Sequence, residues 1–241
     1  DALPILVNLN EVQLLDFLKC PIIYDSVNNK KMLIHKNNIA LNNLLNRVSN
    51  NFYLNLINGK VLSLDTIKNK WDNLCLNYNL SSQQCLEGVS LLIKLFRWAS
   101  NERLIIADIN SPYEYSIKDN NYLINFKGEI STIAINSNNV PYLLVTDFNN
   151  KNPKQTLLDI KIKYTLDCFA YWKITNQKLK IRVHHIKTNK DYFTDRNDID
   201  FNRLEKTIKN VVFSIKNNIY YPRESVLCPS CEFVNFCRAW Y

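Results

Sequence analysis

Cys228-Pro-Ser-Cys231-Glu-Phe-Val-Asn-Phe-Cys237 is the stretch on which the reading of this chain turns. Its spacing is C-x2-C-x5-C. Two thiolates separated by two residues can bind one metal centre from a single turn of backbone, and the third can return to it if the chain curls. Three thiolates leave a four-ligand site one short, and Cys20, followed by Pro21, is the best candidate for the missing ligand. Spacing alone does not separate a zinc site from an iron–sulfur cluster, and buried cysteines without metal are the plainer alternative.

The remaining cysteines, Cys75, Cys85 and Cys168, bring the total to seven. An odd number, in a chain whose start lacks a basic segment followed by an apolar core, argues against a disulfide framework. The expected setting is a reducing cytoplasm, bacterial or phage-infected. The spare thiols are expected to be buried. The 241 residues, 46% of them hydrophobic, suffice for one sizeable core with a helical insertion. No apolar run reaches the roughly 18 residues that would span a bilayer. The net charge of +8 favours polyanionic partners such as nucleic acid, although lysines spread along a solvated surface would give the same sum. Asn and Lys are frequent, as an AT-rich coding sequence, for instance that of a phage, would produce.

Along the chain, Asn10 can cap a short helix whose face is Val12, Leu15 and Leu18 and which Pro21 stops. Residues 32–100 read as mostly helical, with Leu41, Leu44, Leu45 and Val48, then Val89, Leu92, Leu95 and Phe96, at helical spacing. From about 110 to 190 a sheet core is expected. Tyr113–Ile117, Tyr122–Phe126, Glu129–Ile135 and Tyr142–Phe148 read as successive strands, and 179–186 as another. One helix is expected over 155–174, with Leu158, Ile162, Leu166 and Phe169 in a stripe, and another over 204–215. A cysteine-rich tail, 222–241, closes what reads as a single domain.

With these elements in view, the chain resembles the iron–sulfur branch of the RecB-like PD-(D/E)xK nucleases. This branch includes the CRISPR adaptation exonuclease and the AddB nuclease domain. The matching residues are Leu14-Leu-Asp-Phe-Leu-Lys-Cys-Pro21 and Cys228-Pro-Ser-Cys-Glu-Phe-Val-Asn-Phe-Cys237-Arg-Ala, and residues 50–100 are unmatched. The resemblance implies a restriction-endonuclease-like α/β fold: a mixed central sheet flanked by helices, with a helical insertion. It also implies a 4Fe–4S cluster on Cys20, Cys228, Cys231 and Cys237, with zinc as the runner-up. Such a cluster would staple the C-terminal tail to the N-terminal helix.

The family's chemistry uses Mg2+ or Mn2+ held by carboxylates on adjacent strands, which activates a water for attack on phosphate. The motifs here are degenerate. Gly128-Glu-Ile-Ser131 stands where Gly-x-x-Asp is expected, so Ser131 replaces the metal-binding acid. Thr146-Asp147-Phe-Asn149 keeps Asp147 but has Asn149 where the Lys belongs. The helix that should carry His reads Ile39-Ala-Leu-Asn-Asn-Leu. Asp167-Cys-Phe-Ala-Tyr171 resembles Gln-x-x-x-Tyr, and Glu114 an acidic position ahead of the core strands. One remaining central carboxylate makes a poor Mg2+ site.

Two readings of the same residues follow. In the first, hydrolysis is lost and the fold binds nucleic acid, DNA above all, or serves in a larger, possibly phage, nucleic-acid-processing complex. In the second, Glu129 shares a strand face with Ser131 and rebuilds a shifted, active exonuclease site with Asp147 and Glu114. A structural protein without nucleic-acid contact is a third. Asp159-Ile-Lys161 is a literal D-x-K but falls on the expected helix and reads as a solvated face. His184 and His185 are adjacent on a strand, so they cannot chelate one ion; one inward and one outward ring is expected. Lys151, Lys154, Lys161, Lys163, Arg182, Lys187 and Lys190 are candidates for a phosphate-tracking groove, with Tyr164, Tyr171 and Trp172 as stacking platforms. With three glycines and no G-x-x-x-x-G-K, no P-loop can be assembled.

Overall fold

The structure is a computed structural model that describes residues 4–32, 41–60, 63–119, 121–226 and 228–237. Six strands form one mixed sheet: β1 (Ile5–Asn10), β2 (Ile105–Lys118), β3 (Tyr122–Ile135), β4 (Pro141–Asp147), β5 (Lys180–His185) and β6 (Lys190–Thr194). Their order is β1-β3-β4-β5-β6, with β2 also paired to β3. β1 runs parallel to β3 and β4 parallel to β5, whereas β3–β4 and β5–β6 are antiparallel. Among the described residues, eight α-helices flank the sheet: α1 (Glu11–Lys19), α2 (Pro21–Tyr24), α3 (Leu41–Ile57), α4 (Leu64–Asn77), α5 (Ser82–Asn101), α6 (Gln155–Asp159), α7 (Ile162–Thr175) and α8 (Asp198–Lys216). The expected α/β class with its mixed, helix-flanked sheet is what the chain adopts. By compactness the chain divides into one unit of residues 1–37, 112–129 and 198–241 and another of 38–111 and 130–197.

In the first unit, β1 was not expected from the sequence. Val7 and Leu9 alternate inward while Ile5 and Leu6 stay exposed, and β3 supplies the parallel partner, with Ile5 opposite Tyr122 and Asn10 opposite Lys127. Asn10 then caps α1. Its side chain accepts from the Gln13 backbone N–H at 2.8 Å, and Gln13 Oε1 accepts from the Asn10 N–H at 3.0 Å, a reciprocal capping box. The inner face of α1 is Leu14 and Phe17; Val12, expected inside, is exposed. α1 ends before Cys20, and Pro21 opens α2 at the one helical position that lacks a use for its missing N–H. Phe17, Tyr24 and Tyr220 form an aromatic cluster, with the two tyrosines stacked at 6.1 Å. α8 buries Phe201, Leu204, Ile208, Val211 and Val212.

Residues 122–126 and 129–135, expected as two strands, are one continuous strand, β3. Gly128 lies within it because a β-carbon there would collide with the Tyr113 ring and the Glu11 carboxylate.

The second unit carries the larger core. Leu44, Leu45, Val48, Phe52 and Tyr53 of α3 meet Ile67 and Trp71 of α4 and Leu91, Leu92, Leu95 and Trp98 of α5. Ser63 and Ser81 cap α4 and α5. Of the helical region expected over 32–100, residues 33–40 (Ile39 and Ala40 among them), 61 and 62 lie outside the described residues. β2 begins earlier than expected. Its inward positions change parity after Ile106 to Ile109, Tyr113 and Ile117, and Asn110 takes a left-handed φ of 51° that Asn tolerates better than most residues.

The single helix expected over 155–174 is broken at Ile160 and Lys161. Arg196, 4% exposed, explains the break. Its guanidinium donates to the Leu158 carbonyl at 2.7 Å, the Lys161 carbonyl at 3.4 Å and Thr165 Oγ1 at 2.8 Å, taking up groups that a continuous helix would occupy itself. Asp159, expected on a solvated helix face, accepts from Gln155 and Thr194, each at 2.8 Å.

Both histidines of the expected in/out pair are buried, at 2% and 0% exposure. Helix α5 covers one face of β5, where His184 stacks on Trp98 at 3.8 Å. On the other face, His185 bonds Thr188 Oγ1 at 2.7 Å and the Asn149 carbonyl at 2.8 Å.

Candidate functional site

Two cavities gather the candidate residues. The first, about 940 Å3, lies within the second unit. Ser131 of β3 and Asp147 at the end of β4 line it, followed by Asn149, Lys151 and Lys154 of the next loop and by Lys161 and Lys163 around the start of α7. Helix α3 contributes Asn42, Asn46, Ser49, Asn50 and Tyr53 to the same lining.

Four hydrogen bonds shape the loop after β4. Asp147 Oδ1 accepts from the Asn149 backbone N–H at 3.0 Å and from Asn149 Nδ2 at 2.5 Å. Asn149 Oδ1 accepts from Asn42 Nδ2 at 2.9 Å, and its carbonyl accepts from His185. Asn149, at the position expected to hold a Lys, is therefore an organiser of the loop.

Asp167 is fully buried, and its carboxylate accepts from Ser131 Oγ at 2.9 Å and from Lys163 Nζ at 2.8 Å. The Ser131–Asp167–Lys163 chain was not anticipated, although the i,i+4 spacing of Lys163 and Asp167 was visible in the sequence. Burial pushes the Tyr164 hydroxyl up, reinforced by Asp147, and Lys161 Nζ sits 4.9 Å over the Tyr164 ring. Burial likewise raises Tyr53, whose Oη shares a 2.5 Å hydrogen bond with Thr146 Oγ1.

The other sequence candidates stand apart from this lining. Tyr171 is half-buried on α7 and does not line the cavity. Glu114 is exposed in the first unit, where Asn125 Nδ2 at 2.7 Å and Lys127 Nζ at 3.1 Å lower its pKa. Glu129 is an exposed residue of β3. Arg182 is tied to Glu102 at 2.9 Å and Asp191 at 2.6 Å, which places it in a packed network rather than a groove.

The second cavity, about 520 Å3, lies within the first unit, and Cys20, Cys228, Cys231 and Cys237 all line it. The C-cap of α1 positions Cys20. A 3-10 turn, Cys228–Ser230, brings the Cys231 N–H to the Cys228 carbonyl at 3.0 Å, and a second, Val234–Phe236, turns the chain back to Cys237. Backbone N–H groups point at two of the sulfurs: Arg223 N to Cys20 Sγ at 3.4 Å and Ser225 N to Cys228 Sγ at 3.3 Å. Arg223 Nη1 also donates to the Leu18 carbonyl at 2.6 Å, which pins the tail to the end of α1.

Four half-buried thiols around one cavity, two of them facing N–H donors, form a donor set that suits a thiolate-ligated group. Among the described residues no three His, Cys, Asp or Glu side chains are arranged as a ready site for a single ion. The spare thiols differ: burial pushes Cys75 and Cys168 up to about 12, so both stay protonated at neutral pH, and Cys85 is half-buried.

With this geometry in hand, the chain can be set beside known proteins. A crystal structure of a "Putative exonuclease" from Eubacterium rectale superposes with a TM-score of 0.55 over 95% of this chain and 87% of that one, at 10% identity. The two proteins share a fold. A second structure, of the protein SSO0001, aligns over 96% of each chain at 13% identity with a TM-score of 0.40. No protein-family model and no curated protein matches the chain. No helix among the described residues is long and apolar enough to cross a membrane.

Proposed function

We propose that the chain is a degenerate RecB-like nuclease fold that binds nucleic acid, DNA above all, in the lysine-lined cavity. The observation that carries this reading is how Asp147, which lines the cavity, and the fully buried Asp167, bonded to the lining residues Ser131 and Lys163, are already occupied. Asp147 accepts two bonds from Asn149, and Asp167 accepts from Ser131 and the Lys163 ammonium. Mg2+ requires several oxygen ligands in near-octahedral array, and capturing it here would mean breaking these contacts. Lys151, Lys154 and Lys161 supply positive charge that a divalent ion would otherwise bring to a phosphate, whereas the Lys163 ammonium is already paired with Asp167.

The same reading assigns a 4Fe–4S cluster to Cys20, Cys228, Cys231 and Cys237. A cluster binds each thiolate at a different corner and suits four sulfurs around an open cavity better than one zinc ion does. Its contribution here is a covalent clasp between the α1 C-terminus and the tail.

Binding and degradation assays on the full chain test this. The expected result is DNA binding that persists in EDTA and no loss of substrate with Mg2+ or Mn2+. Metal-dependent degradation that disappears in Asp147→Ala would establish the active exonuclease instead. Iron and acid-labile sulfide in anaerobically purified protein are expected, and stoichiometric zinc without iron would remove the cluster.

A further inference from the structure

The cavity has two unlike walls, and only the lysine wall is accounted for by attraction to phosphate. The α3 wall is neutral and rich in amides. Asn42, Asn46 and Asn50 recur every four residues and so lie along one face, which spans about 12 Å over eight residues of helix. Asn42 is engaged with Asn149. Asn46 is exposed and Asn50 half-buried, and neither side-chain amide makes a hydrogen bond among the described residues. A neutral amide can donate to a phosphate oxygen but brings no charge to it. It does present a donor and an acceptor side by side, the pattern that matches a base edge, adenine best of all.

We infer that Asn46 and Asn50 read base edges and give this chain a preference for adenine in unpaired nucleic acid. This rests on the proposed nucleic-acid binding and deepens it. The phosphates follow Lys151, Lys154 and Lys161 while the bases turn toward α3. A face of about 12 Å accommodates roughly three stacked bases at about 3.4 Å each. The adenine N6/N7 edge that an amide matches is also open in a duplex, but the bases of a single strand are free to splay from the backbone toward α3, which makes a single strand the preferred form. The edge being read is common to DNA and RNA, so the sugar is not the source of the preference.

Fluorescence anisotropy of the full chain with short labelled oligomers, over a salt series, tests the assignment. The expected result is that oligo(dA) binds about five- to tenfold more tightly than oligo(dT). Oligo(rA) should show the same advantage over oligo(rU), and duplex should bind less well than either single strand. The double substitution Asn46→Ala with Asn50→Ala should erase the adenine preference and leave the salt dependence unchanged. Lys151→Ala with Lys154→Ala should do the reverse, lowering the salt slope by about 1.4 and keeping the preference. An adenine preference that survives the asparagine substitutions in a protein of unchanged melting temperature overturns the inference but not nucleic-acid binding. So does equal affinity of the unsubstituted chain for all bases. Failure to bind any oligomer at low salt overturns both.

Discussion

Gly88 lies inside α5, where the indole of the fully buried Trp71 occupies the place of a β-carbon. Trp71 is held there by its own bond from Nε1 to the Cys85 carbonyl at 2.9 Å, so the ring cannot swing aside cheaply. Alanine is the better helix former by about 1 kcal/mol, but overpacking costs about 1–3 kcal/mol and should win. Gly88→Ala is therefore expected to lower the unfolding free energy, read from the midpoint of a urea melt. At the same scale, burial lowers the pKa of His184, and its bond to Asp191 only partly offsets this. The unfolded chain then binds the proton first as the pH falls. The stability from a neutral His184 is complete above about pH 6.5 and is lost as the pH drops through the folded value. Melting temperatures recorded from pH 8 to pH 5.5 should fall at the acid end, and His184→Gln should flatten the profile.

Among the elements, α1 and the α6–α7 junction show what local signals can and cannot reveal. The Asn10 cap was legible because capping involves neighbours in the chain, and Asn10→Ala should cost about 1 kcal/mol in thermal or chemical melts. The inner face of α1 was misread because two helical faces were available, Val12 with Leu15 and Leu18 or Leu14 with Phe17. The packing partners of the first unit choose between them. The α6–α7 break had no local signal at all. It exists because Arg196, thirty-five residues after Lys161, inserts a planar set of donors among the carbonyls. Lysine cannot reproduce that fork. Arg196→Lys should leave buried carbonyls unpaired, cost about 2–4 kcal/mol in a denaturant titration and weaken DNA binding by displacing Lys161 and Lys163.

For the molecule as a whole, the cysteine site is the feature with the longest reach. The proposed clasp between Cys20 and the tail would close a loop of roughly two hundred residues, and its loss would return a large conformational freedom to the chain ends. Cys20→Ser is expected to abolish iron content and to speed amide hydrogen exchange in α1, α8 and the tail. The α3–α5 core, built within the other unit, should remain protected. Uniform acceleration across both units would instead show that they unfold as one.

The amino-acid sequence by itself determined what depends on near neighbours. The helical stripes of α3, α5 and α8, the caps at Asn10 and the grouping of three thiols in the tail all follow from spacing within a few residues. Only the tertiary structure decided what requires partners far apart in the chain. These are the pairing of β1 with β3, the single long β3, the burial of both His184 and His185, and the placement of Cys20 at the cavity of the tail thiols. The occupation of Asp167 by Ser131 and Lys163 belongs with them, because Ser131 comes to it from a strand thirty-six residues away. Periodicity states which face of an element is apolar. What covers that face, and which buried carboxylate meets which donor, is settled only when the elements pack.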